Sequence, residues 1–97
     1  MIVVALTKDL MDRSRISAAI TDVQFALSSH ADVVIVDLGR GVEQVAAVRA
    51  SHPKARIVAY GPHVDDDTMA AARDAGADVV LPRSRFFRDI PGASGVS

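Results

Sequence analysis

Apolar residues gather in four short runs along the chain: IVVAL at 2–6, DVVIVDL at 32–38, RIVAY at 56–60 and DVVLP at 78–82. Each is rich in β-branched side chains and lacks polar alternation, the pattern of a strand buried on both faces of a parallel sheet. Between the last three runs the pattern turns amphipathic. GVEQVAAVRASHP sets Val42, Val45, Ala46 and Val48 on one side of a helix, and DDDTMAAARDAGA does the same with Met69, Ala72 and Ala75. Pro53 stops the first helix, Gly76 stops the second, and Asp65, Asp66 and Asp67 stand where a helix amino terminus favours carboxylates. Strand, helix, strand, helix, strand predicts an α/β fold: a small open parallel sheet of four strands, or five, with helices on its faces.

The stretch 9–30 carries two patterns at once. Ile16, Ile20, Val23 and Leu27 fall at helical spacing, with Ala19 and Ala26 beside them, which predicts one long helix to about residue 28. Val23, Phe25 and Leu27 also alternate as a strand would. A strand at 23–27 leaves only 28–31 before the next one, whereas a parallel crossover needs roughly a dozen residues. The helix is therefore the expectation. No repeat or linker divides the chain, so one domain is expected over 1–90, followed by a disordered tail, PGASGVS, at 91–97. The order of the strands after the first stays open.

Composition narrows the function. With 97 residues, 49% of them apolar, the chain can bury one core, though a small one. Its aromatics are Phe25, Tyr60, Phe86 and Phe87, so Val, Ile, Leu and Ala must build that core. A net charge of −1 argues against nucleic acid or an anionic membrane held by a broad basic field. The absence of cysteine removes disulfides, thiolate metal sites and cysteine nucleophiles. The run 2–6 is too short for a secretory core and no segment reaches membrane-spanning length, so a cytoplasmic protein is expected. His30, His52 and His63 stand on separate segments with no shared helix face, so no metal site is expected, and His52 before Pro53 suits a helix carboxyl terminus. No dinucleotide or Walker sequence follows the first strand, and Gly39 and Gly41 alone are too few to cradle a phosphate. No cofactor is expected. Arg13 and Arg15, like Arg83, Arg85 and Arg88, read as solvated faces.

The candidate chemistry lies on one edge. Asp37 ends the second strand, on the side where open α/β sheets bind ligands, although an aspartate there can equally do no more than cap the following turn. Lys8 and Asp9 follow the first strand, Gly61, Pro62 and His63 the third, and Arg83 the fourth. All should face the same side. Asp37 between Lys8 and Arg83 would be held ionised by two cations, with its pKa below that of a free aspartate. The same cluster would serve equally well as an ion-pair network that fixes loops.

VVIVDLG and the block ARIVAYGPHVDDDTMAAARDAGADVVLPRSRF resemble the receiver domain of bacterial two-component response regulators, from residue 2 to about 90. The chain is shorter than that family by roughly one β-α unit. The resemblance implies a flavodoxin-like fold and puts Asp37 at the phospho-acceptor position. It also exposes departures. Where the family carries an acidic pair for Mg²⁺, a hard dication that needs carboxylate oxygens, this chain reads Leu6, Thr7, Lys8, with Asp9 the first acid. The family's switch hydroxyl falls on Gly61 and its lysine on Arg83, a planar fork in place of a point charge.

These departures imply a pseudo-receiver: a non-enzymatic signalling module that acts by contact with a protein partner through the loop 61–67 and residues 82–86. Two alternatives remain open: a phospho-accepting or anion-binding receiver in which Arg83 and Asp9 stand in for the missing groups, and a small α/β enzyme using Asp37 and His63 as acid and base. A homodimer is also expected, because the helices offer little cover for two sheet faces and Phe86, Phe87 and Ile90 lie near the end.

Overall fold

The computed structural model of the protein describes residues 1–62 and 65–96. In chain order the elements are β1 (Val3–Leu6), α1 (Leu10–Ala19), β2 (Val33–Asp37), a single 3-10 turn (Leu38–Arg40), α2 (Glu43–Ser51), β3 (Arg56–Gly61), α3 (Asp66–Ala75), β4 (Val79–Pro82), α4 (Arg83–Arg88) and α5 (Ile90–Ser94). The four apolar runs thus become four parallel strands, in the order β1-β2-β3-β4. Ala5 lies beside Ile35, Ile35 beside Val58 and Val58 beside Val79, so one row crosses the whole sheet.

Alternate strand residues face opposite sides. Val4, Val34, Val36, Ile57, Ala59 and Val80 form one layer, closed by Val45 and Val48 of α2 and Ala72 of α3. Val3, Ala5, Val33, Ile35, Val58 and Tyr60 form the other, closed by Ile16 of α1, Phe86 of α4 and Ile90 of α5. Burying each of these larger side chains contributes about 1.5–3 kcal/mol, and two covered faces account for strands that read as unbroken apolar runs. Residues 91–94, expected in a disordered tail, are instead helical, and Ser94 is buried. Phe86, offered by the sequence as a surface for a twin subunit, is 0% exposed inside its own chain.

The long helix expected to residue 28 is not formed. α1 stops at Ala19, a turn follows with Asp22 in the left-handed region at φ 62°, and Gln24 makes a parallel bridge to Val4. The Ala5 N–H donates to the Gln24 carbonyl and the Gln24 N–H to that of Val3, whereas the Ile2 carbonyl receives Asp32 and Val33. Alternate backbone groups of β1 therefore serve opposite edges, and Gln24 lies on the far side of β1 from β2. The four strands run in sequential order, and a reversal after the first appears only if the Gln24 bridge is counted as a strand. Residues 25–32 then cross β1 without a helix. The dozen-residue rule assumes a full helical crossover, but eight extended residues reach up to about 26 Å, well beyond the roughly 10 Å of two strand spacings. Between β1 and β2 the chain therefore makes one isolated bridge and a link without a helix.

Gly76 closes α3 with φ 120°, and a Cβ there would lie 2.7 Å from the Arg49 side chain. Both the conformation and the close approach demand glycine. Gly76→Ala should lower unfolding free energy by about 1–3 kcal/mol in urea titrations.

Candidate functional site

Asp37 reaches the carboxyl edge at the end of β2, but its carboxylate is engaged by a local turn amide and by the Thr7 hydroxyl. Oδ1 accepts the Gly39 N–H at 2.9 Å, as the cap of the 3-10 turn, and Oδ2 accepts the Thr7 hydroxyl at 3.2 Å. Thr7 in turn accepts the Asp9 N–H at 3.3 Å, and Asp9 caps α1 by accepting the Asp12 N–H at 3.0 Å. Arg13 Nε donates to the Thr7 carbonyl at 2.7 Å, with its guanidinium 5.3 Å from the centre of the Phe25 ring. A cleft of about 650 Å³ opens here, bordered by Lys8, Arg13, Phe25, Asp37 and Glu43. Lys8 is exposed.

The two ion pairs expected for Asp37 are not made among the described residues. Arg83 turns instead to Asp12: Nη1 lies 2.8 Å from Oδ2 and Nη2 2.6 Å from Oδ1, a bidentate fork. The Tyr60 hydroxyl donates to the same Oδ2 at 2.9 Å. Asp12 is 1% exposed, so this is a buried charge satisfied by three donors. An aromatic group packs around it. Tyr60 stacks on Phe86 at 4.6 Å between ring centres, Phe87 meets both rings edge-on, and the guanidinium of Arg15 lies 4.1 Å over Phe87. Neither Arg83 nor Arg15 is therefore a merely solvated cation.

Sequence reasoning missed Asp12, yet it left a mark. Asp12, Ile16 and Ile20 fall at i, i+4 and i+8, one stripe of a helix, and all three are buried, while the apolar Leu10 and Met11 are exposed. An acid inside the apolar stripe, beside two apolar residues outside it, was the available signal. Tyr60 belongs to the same set, since the other three aromatics lie off the sheet.

Gly61 is buried at the end of β3, and a Cβ there would stand 3.2 Å from that of Leu38. A side chain at this position would crowd Leu38. His63 lies outside the described residues. His30 stands 3.3 Å from Asp32, and His52 Nε2 bonds the Ser28 carbonyl at 2.7 Å, both near the amino ends of the strands and away from Asp37. His52 caps α2, as expected. Among the described residues no three His, Asp or Glu side chains converge as metal ligands, and no helix is long and apolar enough to cross a membrane.

The ion pair polarises its members' titration. Hydrogen bonds from Arg83 hold the Asp12 carboxyl below the usual carboxylate range, and those same bonds raise Arg83. Burial pushes the Tyr60 phenol well above its ordinary value.

The fold, a four-stranded open parallel sheet of the receiver and flavodoxin type, recurs in solved structures. A response regulator from Thermotoga maritima matches with a TM-score of 0.73 at 13% identity, over 96% of this chain and 96% of that chain. A CheY-like protein (tadZ) from Pseudomonas aeruginosa gives 0.74 at 23% identity, over 93% of this chain and 92% of that one. A response regulator from Burkholderia pseudomallei, solved with a phosphorylated aspartic acid, calcium ion and citrate, gives 0.78 at 16% identity, over 95% of this chain and 65% of that one. No family profile matches the sequence, nor does any curated protein.

Asp12→Asn leaves Arg83 without its fork and should cost about 2–3 kcal/mol, less than a fully buried pair because the Arg83 side chain is 35% exposed. Tyr60→Phe keeps the ring stack and should cost about 1 kcal/mol. Because the folded-state pKa of Asp12 is depressed, its contribution is present above the ordinary aspartate pKa and lost as pH falls through the folded value. Denaturant titrations from neutral pH into acid should show that loss in the wild type, and a shallower one in Asp12→Asn.

Proposed function

We propose that the chain is a receiver-type signalling module that works by protein contact at the carboxyl edge of its sheet, with Asp37 as a fixed turn residue rather than a phosphoryl acceptor. One observation carries this reading: both Asp37 oxygens are already bonded, to Gly39 N–H and to the Thr7 hydroxyl, with Lys8 next to Thr7 where the resembled family places carboxylates. A lysine ammonium has no lone pair with which to ligate Mg²⁺. Three further features support it. Arg83 is drawn away to Asp12, Asp9 is spent on capping α1, and a side chain at Gly61 would crowd Leu38.

The same edge offers material for a contact. Leu10 and Met11, 75% and 76% exposed at the start of α1, stand beside Lys8 and Asp9. Ser84 and Arg85 add exposed polar positions at the start of α4. Phe86, which the sequence assigned to this surface, contributes from inside by supporting Tyr60.

Incubation with acetyl phosphate and Mg²⁺ should leave the intact mass unchanged. A stoichiometric, acid-labile adduct of one phosphoryl group that disappears in Asp37→Asn would overturn the reading in favour of a phospho-accepting receiver using the open cleft beside Asp37.

A further inference from the structure

The opposite end of the sheet carries a feature that the carboxyl edge does not explain. Where α2 and α3 end and β3 and β4 begin, an open basin of about 620 Å³ is lined by Arg49, Lys54, Arg56 and Arg73, with Asp78 as its carboxylate. Asp78 is already committed. Its Oδ2 accepts Arg49 Nη2 at 2.8 Å and the Ile57 N–H at 2.8 Å. Among the described residues Lys54, Arg56 and Arg73 make no ion pair, and all three are exposed. In a chain of net charge −1, this is a local concentration of uncompensated positive charge.

Helix dipoles explain only part of it. Arg49 and Arg73 lie in the last turns of α2 and α3, where cations suit the free carbonyls. Lys54 and Arg56 lie in no helix. The basin is also preformed, because Arg49 stitches its walls together: Nε and Nη2 donate to the Gly76 carbonyl, and Nη1 donates to those of Pro53 and Ala55. A floor held together by Arg49, with three exposed cations on its rim, suits an anion that offers several charges over an extended length. The lining contains no aromatic side chain, so a nucleobase would find no stacking platform.

We propose that this basin is a second docking surface, for an acidic segment of a protein partner that presents two or more carboxylates to Lys54, Arg56 and Arg73. It stands independently of the carboxyl-edge reading, at the other end of every strand. Arginine forks and a lysine match carboxylates in geometry and charge, and contacts of this kind act mainly on association rate and selectivity.

The probe is a hexaglutamate peptide, added to isotope-labelled protein and followed by amide chemical shifts. Expected are saturable shifts confined to residues 53–56 and 73–78, weakened at least about tenfold in Lys54→Glu with Arg73→Glu, and suppressed between ~0.05 and ~0.5 M salt. Both substitutions are at exposed side chains without bonds, so the variant should fold, and its unchanged spectrum elsewhere confirms that. Shifts absent or centred on another surface, or binding unaffected by the double substitution, would overturn the proposal. So would tighter binding of a single-stranded oligonucleotide of equal charge, which would make the basin a nucleic-acid site. Concentration-dependent sedimentation of the free protein, abolished by the same substitutions, would make the occupant a second copy and equally overturn it.

Discussion

The bidentate pair between Asp12 and Arg83 is the interaction on which the arrangement of the carboxyl edge depends. It joins α1 to α4 across the end of β3, and Tyr60 completes it from beneath with its hydroxyl on the same carboxylate oxygen. A buried carboxylate left without its fork would cost several kcal/mol, so Asp12 depends chiefly on Arg83, and the Tyr60 hydroxyl adds about 1 kcal/mol. Their positions in turn orient the aromatic stack of Tyr60, Phe86 and Phe87, which seals the second face of the sheet. Without that seal β3 would expose Val58 and Tyr60 to water, and the unbroken apolar strands would lose their partner layer.

One consequence is chemical. A cation that could have neutralised charge at Asp37 is spent on structure, and Asp37 falls back on a threonine hydroxyl and a turn amide. Both of its oxygens thus have a hydrogen-bond donor from the protein itself. The edge still presents a lysine, an exposed Leu-Met pair and an open cleft.

A second arginine plays the corresponding part at the other end. Arg49 fastens the carboxyl ends of α2 and α3 through four backbone carbonyls and Asp78, and Gly76 has no side chain so that Arg49 can pass. The two ends differ in what remains. At the carboxyl edge Arg83 pairs with Asp12, whereas at the amino edge Arg49 pairs with Asp78, and the neighbouring cations make no ion pair among the described residues.

The sequence by itself determined the layered α/β class. β-branched runs buried on both faces, helices of period 3.6 between them, Asp65 as a cap and Gly76 as a stop are local properties, written residue by residue. It also placed Asp37 at the strand end and offered the capping role that Asp37 adopts. What it could not decide were outcomes of competition between distant groups. Residues 20–27 fit two periods equally, and the choice fell to the free edge of β1, whose backbone groups pair with Gln24. Arg83 had two aspartates to choose from, separated by 25 positions in sequence, and only the packing of α1 against β3 brings Asp12 within reach of its fork. Residues 91–94 look like a polar tail until Ile90 finds the face that α1 leaves open. Local periodicity fixes which side of an element is apolar, whereas long-range contact fixes which partner each polar group meets, and the character of this edge rests on the second.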